Sequence, residues 1–198
     1  MRRVLSAYGL EAQTFIPVRG EEGYGLSDAA IDRCLKAEIP PTLLITVDCG
    51  TASGPQIERL KERGIDVIVA DHHETGIVGR PPAVAVVNPK MGDDYGYLCS
   101  AGVVFKLAHA LMKTRRLEGV DLKDFLDLVA VATIADIVPL VDENRLLVRH
   151  GLRRLPQTPK HGLRAPMDAS GLNGNATSPG VGFRAGPRTH RRARTHAP

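Results

Sequence analysis

Three adjacent side chains with metal-binding or proton-transferring chemistry, Asp71, His72 and His73, follow directly after the apolar run IDVIVA. A carboxylate and two imidazoles can ligate a divalent metal ion or move protons. Side chains on a strand alternate between its two faces, so His72 and His73 can share one site only where the strand has ended. The turn-forming residues at 74–76, ETG, favour such an end.

Two further carboxylates occupy comparable positions. Asp48 ends the apolar run LLITV, and Asp136 lies inside the most apolar segment of the chain, VATIADIVPL. A lone carboxylate in apolar surroundings is costly, so Asp136 is expected to be paired, neutralised or bound to a cation. Pro139 follows three residues later and predicts that a helix ends near this carboxylate.

Asp48, His72 and Asp136 together offer oxygen and nitrogen ligands without a thiolate, which favours Mn²⁺ or Mg²⁺ over structural Zn²⁺. Each residue also has a structural alternative. Asp48 could cap the following helix, His72 could be an ordinary turn histidine, and Asp136 could cap a broken helix or pair with Arg145 or Arg149. Their coincidence at predicted strand and helix ends indicates a divalent-metal site, and two ions about 3.5–4 Å apart are usual for phosphoester hydrolysis.

The elements that must position these residues alternate between strand and helix patterns. Continuous apolar runs typical of strands covered on both faces lie at 42–50, 65–73 and 83–90, with a further strand expected at 12–18. Helices are predicted at 1–10, at 28–38 with Ser27 as cap, and at 53–64 with a capping box from Ser53 to Gln56. The alternation predicts an α/β fold whose parallel, Rossmann-like sheet is flanked by helices.

Helical patterns dominate the next part of the chain. Ser100 opens one helix, and further helices are expected over 122–140 and 142–155. From residue 156 the pattern gives way to Pro, Gly, Ser, Asn and Arg. We therefore expect a folded domain over 1–155 and a Pro/Gly/Arg-rich linker and basic tail over 156–198, largely disordered.

Composition and charge narrow the class of protein. Hydrophobic residues make up 43% and charged residues 24%, as in ordinary globular domains, and the net charge is +4. The region from Pro156 onward holds one acidic residue, so its basic character suits a polyanion or simply a disordered tail. Three cysteines without a C-x-x-C pair fit a reducing cytosol, and the absence of an 18-residue apolar run predicts no membrane partner. A cytoplasmic location is expected.

Several motifs in order resemble one known family. VDCGT, VIVADHHETG, CSAGVVFKLAHAL and ATIADIVPLVDENRLLVRHGL resemble the DHH phosphoesterase superfamily, and more narrowly its RecJ-type single-stranded-DNA-specific exonucleases. PVRGEEGYGLS resembles the stretch that those enzymes carry before their second motif. The resemblance covers about residues 1–155 and weakens towards 188.

The resemblance implies a DHH domain that uses Mn²⁺ or Mg²⁺, with two ions in the intact enzyme. It implies hydrolysis of single-stranded DNA from the 5′ end to mononucleotides. By motif, Asp48, His72 and Asp136 match metal ligands, whereas Asp71 and His73 match catalytic residues that orient the ligands or lie near the scissile phosphate.

The resemblance also indicates where nucleic acid would bind. Ser100 and Gly102 fall where the family opens a helix towards the nucleic acid, and helix N-termini favour phosphate. Arg184 and Arg188 could contact phosphate. Single-stranded DNA is the expected partner, with repair or recombination proteins as further partners.

Two departures from the family pattern shape the expectation for this chain. It begins without the family's Asp-x-Asp-Gly motif, and THRRARTHAP replaces the continuation into a second domain. We therefore expect a DHH domain that is incomplete at its N-terminus and shows little activity alone. Two alternatives stay open: a related phosphoesterase acting on short oligonucleotides, cyclic dinucleotides or pyrophosphate, and a non-catalytic nucleic-acid-binding module.

Overall fold

The three apolar runs at 42–50, 65–73 and 83–90 form a parallel sheet. Its strands are β1 (Leu43–Val47), β2 (Asp66–Ala70) and β3 (Ala85–Val87), in the order β1-β2-β3. The last residue of β1, Val47, is the register partner of Ala70, which in turn pairs with Val87. The parallel α/β fold with flanking helices is therefore confirmed.

The computed structural model describes residues 1–75, 79–92, 96–172 and 176–185. The chain divides into a sheet unit, residues 11–96, and a helical unit, residues 3–10 together with those from 97 onward. None of the helices in the described ranges has the length and apolar character needed to cross a bilayer.

Among the described residues of the sheet unit, three α-helices accompany the sheet: α2 (Arg19–Glu22), α3 (Asp28–Leu35) and α4 (Gly54–Glu62). Ser27 caps α3 as predicted, because its side chain accepts the N–H of Ala30 at 3.2 Å. The unit's apolar core joins side chains of α3, α4, β2 and their loops: Ile31, Ile57, Leu60, Ile65, Val67 and Val69. Burial of these side chains drives the packing of helices on the sheet.

The strand predicted at 12–18 is wrong, since the structure has no strand there. The guanidinium of Arg33, on α3, lies 4.0 Å from the centre of the Phe15 ring and donates to the carbonyl oxygen of Ile16 at 2.8 Å. These contacts tie the segment to α3 rather than to a neighbouring strand.

The start of α4 also differs from the sequence prediction. Ser53 is the residue before its first turn, but its side chain makes no capping hydrogen bond, so the predicted capping box is absent. Gln56 donates instead to Asp28, on α3, at 3.5 Å. The predicted end is confirmed, because Gly64 adopts a left-handed φ of 73° just after the helix.

The helical unit contains a short N-terminal helix and the helices of the second half of the chain: α1 (Arg2–Ala7), α5 (Ser100–Thr114), α6 (Leu126–Ala135), α7 (Asp142–Arg154), α8 (His161–Ala169) and α9 (Ser178–Gly180). A 3₁₀ turn, Leu122–Phe125, leads into α6. α6 and α7 pack closely, because Gly151 of α7 faces the backbone of α6 at Leu126.

A largely disordered segment is expected from residue 156, but its described residues, 156–172 and 176–185, are folded. Leu163 and Met167 lie four residues apart on one face of α8, and both are buried. They join a core built from several elements: Val131, Leu155, Leu172, Val181 and Ala185. The predicted boundary at residue 155 lies within this unit, and residues 186–198 are outside the described ranges.

Candidate metal centre

The candidate centre lies at the carboxyl ends of two neighbouring strands. Asp48 follows β1 and Asp71 follows β2. The sheet ladder continues one residue past the strands, because Asp48 donates its N–H to the carbonyl of Ala70 at 3.1 Å, and Asp71 donates to Val87 at 3.0 Å. Ligand sites of open parallel sheets occupy this edge.

Asp48, His72 and His73 form a group of three potential ligands. One ligand atom from each lies within 4.8 Å of the others, and Asp48 Oδ1 is 3.3 Å from His72 Nε2. The two imidazole rings have their centres 4.6 Å apart. The structure therefore brings together two predicted ligands, Asp48 and His72, and adds His73, which was expected to act near the phosphate.

The backbone makes this convergence possible. β2 ends at Ala70, so His72 and His73 are no longer constrained to opposite faces, as predicted. Asp48 has a left-handed φ of 66°, which a short polar side chain tolerates better than a branched one. The residue before α4 is Ser53, so the alternative in which Asp48 caps that helix is wrong.

Asp71 is the buried support of the group, with 1% of its surface exposed. Its Oδ1 accepts from His72 N at 2.8 Å, from His73 N at 3.3 Å, and contacts His73 Nδ1 at 2.7 Å. Its Oδ2 accepts the N–H of Thr51 at 3.0 Å. Burial alone would raise the pKa of Asp71, but the hydrogen bonds from Thr51, His73 and His72 lower it to about 2.

This charge state determines what His73 offers. An ionised carboxylate only accepts hydrogen bonds, so the proton between Asp71 and His73 belongs to Nδ1 of the imidazole. In neutral His73, Nε2 then carries a lone pair. The role of Asp71 in orienting a ligand matches the supporting carboxylates of known metal sites.

Thr51 and Asn88 complete the network, and the sequence reasoning missed both. Asn88 Nδ2 donates to Thr51 Oγ1 and to the carbonyl of His73, each at 2.9 Å. Asn88 directly follows β3, so the rule that selected Asp48 and Asp71 at strand ends would also have found it.

The neighbouring thiol of Cys49 is not part of this group. Burial, together with the nearby charges of Asp71 and Asp48, raises the pKa of Cys49 to about 11. Its thiol donates to the carbonyl of Val47 at 3.7 Å, and the ligand atoms that lie together are oxygen and nitrogen.

Asp136 lies in the helical unit, directly after α6, so the predicted helix end is confirmed. Asp136 is exposed, so the apolar residues around it in the sequence do not enclose it. The reason is local: the helix stops at Ala135 and the chain turns at Ile137, whose φ is 56°. The assignment of Asp136 as a metal ligand remains a prediction.

Ser100 and Gly102 both lie in the first turn of α5. Ser100 is 5% exposed, and its hydroxyl has no hydrogen-bond partner among the described residues. Gly102 has a packing role as well, since a Cβ there would lie 3.2 Å from a Leu98 methyl carbon. Arg184 is exposed near the end of the described chain, and Arg188 lies outside the described residues.

Comparison with known proteins identifies the family. The model of the DHH family, N-terminal domain, matches residues 1–133. The single-stranded-DNA-specific exonuclease RecJ of Bacillus subtilis (strain 168) is 42% identical over 192 residues, covering 95% of this chain and 23% of that protein. RecJ of Thermus thermophilus is 40% identical over 193 residues, covering 97% of this chain and 28% of that protein. The chain thus spans about a quarter of the length of these relatives.

Solved structures agree in fold and in sequence. A crystal structure of exonuclease RecJ bound to manganese superposes with a TM-score of 0.82 at 38% identity, covering 94% of this chain and 46% of that one. RecJ in complex with Mn²⁺ from Thermus thermophilus gives a TM-score of 0.77 at 34% identity, covering 98% and 28%. The predicted RecJ-type resemblance is confirmed, and because the family model matches well over half of its residues, the chain belongs to the DHH family.

Proposed function

We propose that this chain is the catalytic part of a divalent-metal-dependent exonuclease that hydrolyses single-stranded DNA from its 5′ end. The observation that carries the proposal is the convergence of Asp48, His72 and His73 on one point, supported by the ionised Asp71. The relatives are named as single-stranded-DNA-specific exonucleases. Cytoplasmic DNA processing, with repair or recombination proteins as partners, belongs to the same proposal.

The residues present fit Mn²⁺ or Mg²⁺. Carboxylate oxygen and imidazole nitrogen suit these ions, and the group of converging ligand atoms contains no cysteine sulfur, the ligand that would favour a structural zinc site. Asp48 and His72 would hold the metal, with His73 as a further ligand or phosphate contact, and the intact enzyme would use two ions. When bound, the metal supplies activation of water and neutralisation of phosphate charge.

Within this proposal, each residue of the network has a defined task. Asp71 keeps a proton on His73 Nδ1 and fixes the imidazole ring through a 2.7 Å contact. The Nε2 lone pair of His73 is then directed away from Asp71, towards ligand or substrate. Because this carboxylate is buried and surrounded by donors, it contributes orientation and negative charge rather than a proton.

Features that suit single-stranded nucleic acid lie in the sheet unit as well. Tyr24 is 61% exposed, and the guanidinium of Arg19 lies 4.7 Å from the centre of its ring. An exposed aromatic ring beside an arginine is the kind of surface on which unpaired bases stack. The hydroxyl of Ser100 at the start of α5, which no group of the described chain satisfies, is a second candidate contact, for phosphate.

The activity is best tested in the context of a whole relative. A chimera replaces the matching segment of the Bacillus subtilis RecJ with this chain, and is given Mn²⁺ and 5′-phosphorylated single-stranded DNA. We expect release of mononucleotides, with long strands cleaved in preference to dinucleotides. Chimeras carrying His72→Ala or Asp48→Asn should lose this activity, and metal calorimetry of the 198-residue chain should show weakened Mn²⁺ binding for the same substitutions.

The same experiment separates the alternatives. Faster hydrolysis of dinucleotides or cyclic dinucleotides than of long strands would support the related phosphoesterase. A folded chimera that binds DNA but neither binds Mn²⁺ nor cleaves would support the non-catalytic module. Asp136→Asn, measured by the same calorimetry in the chimera, tests whether this carboxylate is a ligand: unchanged Mn²⁺ affinity would remove it from the ligand set.

A further inference from the structure

We propose that Asn88 is a positioning residue that fixes the tautomer of His73 through a chain of hydrogen bonds running across Thr51 and Asp71. The functional value of this tautomer rests on the proposed function, but the hydrogen-bond argument does not. Asn88 is 8% exposed and lies directly after β3, at the same sheet edge as the candidate metal centre.

The orientation of the Asn88 amide is settled by two backbone groups. Its Oδ1 accepts the N–H of Lys90 at 2.9 Å, and its Nδ2 donates to the carbonyl of His73 at 2.9 Å. A backbone N–H can only donate and a carbonyl can only accept, so a flipped amide would oppose like groups at both contacts. Nδ2 therefore faces the network, and it brings a donor to Thr51.

That donor sets the direction of the next bond. Thr51 Oγ1 accepts from Asn88 Nδ2 at 2.9 Å, which leaves the single hydroxyl proton of Thr51 for the carboxylate of Asp71. Thr51 is 1% exposed and also donates its backbone N–H to Asp71 at 3.0 Å. Thr51 therefore donates both its hydroxyl and its backbone N–H to Asp71, and it accepts no proton from that carboxylate.

The last step reaches the imidazole. Asp71 is surrounded by donors from Thr51, His72 and His73, so it carries no proton of its own and must accept one from His73 Nδ1. The His73 side chain is 47% exposed, and in water an imidazole exchanges its proton between both nitrogens. The buried network removes this freedom and leaves Nε2 unprotonated on an imidazole that belongs to the group with Asp48 and His72.

The tautomer can be read directly from the free protein. Two-bond ¹H–¹⁵N spectra of the metal-free 198-residue chain, at about pH 8 where ordinary imidazoles are neutral, distinguish the two ring nitrogens. A His73→Asn spectrum assigns the signal. For the unaltered chain we expect the proton of His73 on Nδ1 alone.

Asn88→Asp is the informative substitution, because it keeps the shape and replaces the donor with an acceptor. Thr51 should then turn its hydroxyl away from Asp71, and the carbonyl of His73 loses its donor. With the carbonyl of His73 no longer anchored and Asp71 short of one positioning donor, the imidazole should part from Asp71 for some of the time. Once it does, His73 should also populate the tautomer protonated on Nε2, and Mn²⁺ affinity should fall about tenfold or more, as when supporting partners of metal ligands are removed.

A matched control exists in the other unit. Asn144 is fully buried, and its Nδ2 also donates to two oxygen atoms, here the carbonyls of Tyr97 at 2.8 Å and Pro139 at 3.0 Å. Asn144→Asp makes the same chemical change at a comparable cost in stability, yet the spectrum of His73 should stay as in the unaltered chain. Where Asn88→Asp does not fold, Thr51→Val should shift the tautomer and Thr51→Ser should restore it.

An unchanged His73 tautomer in folded Asn88→Asp, or in Thr51→Val if only that variant folds, would overturn the proposal. So would a shift of equal size in Asn144→Asp. The measurement uses neither DNA nor catalysis, so its outcome is separate from that of the exonuclease test. A chimera that fails to digest DNA would sink the proposed function and leave the hydrogen-bond chain standing.

Discussion

At the scale of single residues, the unusual feature is a fully buried carboxylate that stays charged. Burying an ionised group costs several kcal/mol unless donors replace its water. Asp71 has donors from Thr51, His72 and His73, so its charge is retained with a pKa of about 2. Thr51 can donate to Asp71 only if the backbone after β1 keeps its conformation. Gly50 lies in that stretch and helps to fix it.

Gly50 is the residue whose substitution should damage the centre without touching a ligand. Its φ is 113°, and a Cβ there would lie 2.7 Å from Thr46 Oγ1 and 3.2 Å from both Val69 methyl carbons. Gly50→Ala combines backbone strain with overpacking, so unfolding in urea should show a loss of at least about 2 kcal/mol. Mn²⁺ affinity should fall as well, because Asp48 is two residues away.

Gly64 provides the matched control for this substitution. It has a φ of 73°, and a Cβ added there would meet no atom within 4 Å. Gly64→Ala should cost only the strain of the left-handed backbone, about 1 kcal/mol, and should leave Mn²⁺ affinity unchanged. Equal losses for the two variants would show that the close contacts of Gly50 do not matter.

The sequence identifies the chemistry of single residues better than their surroundings. The rule that polar residues after apolar strands share one sheet edge predicted that Asp48 and His72 lie close together, and the structure places them so; their role as metal ligands stays a prediction. The exposure of Asp136 could not be predicted, because an apolar neighbourhood in sequence does not reveal where a helix exposes its last turn. Thr51 was missed because its hydrogen bond with Asn88 spans 37 residues and leaves no local pattern, whereas the position of Asn88 after a strand was a signal that went unused.

At the scale of elements, the segment before α3 shows how one side chain overrides a propensity. The run TFIPV has the composition of a strand, yet it is tied to Arg33 rather than to the sheet. Arg33 also pairs with Glu22, whose pKa is lowered from its ordinary value of 4.5 mainly by that hydrogen bond. A tertiary contact therefore determines that this segment does not join the sheet, and propensity scales do not include such contacts.

This ion pair gives α3 and the preceding segment a pH-dependent contribution to stability. The folded pKa of Glu22 lies below the unfolded one, so the stabilisation is complete above pH 4.5 and is lost as pH falls through the folded value. The difference in unfolding free energy between the unaltered chain and Arg33→Met should therefore shrink as pH is lowered below 4.5. Lys36→Met, which removes a charge just after the same helix, should show a difference that does not follow this titration.

The contact between α6 and α7 depends on one glycine. A Cβ at Gly151 would lie 2.1 Å from the carbonyl oxygen of Leu126 and 2.4 Å from Ala130 Cβ. Gly151→Ala must push the two helices apart, so calorimetric unfolding should show a loss of about 3 kcal/mol or more. Gly162→Ala, in α8 with open space around it, should instead be neutral or stabilise by up to about 1 kcal/mol. Similar effects of both changes would contradict close packing at Gly151.

At the scale of the whole molecule, the alternation of strands and helices was enough to predict the parallel sheet and its class. The extent of the folded chain was not predictable in the same way. Residues 156–185 are rich in Pro and Gly, and α8 even contains Pro166, so their composition indicates disorder. Their few apolar side chains pack into the core to which α6 contributes. The spacing of these side chains in the sequence indicates a folded segment only once the position of α6 is known.

The stability of the helical unit should therefore depend on residues 156–185, although their composition indicates disorder. A chain ending at Leu155 loses the packing partners of Val131 and Leu155 in the core, so its helical unit should unfold at lower temperature and lower denaturant concentration than that of the 198-residue chain.

Leu163→Ala in the full chain tests the same core with a smaller change. With Leu163 7% exposed, it should cost about 2–5 kcal/mol, measured by urea unfolding. Leu128→Ala removes the same atoms from a position 41% exposed in α6 and should cost under about 1 kcal/mol. If the shortened chain unfolds like the full one, and the two leucine variants lose equal stability, the core does not extend beyond residue 155.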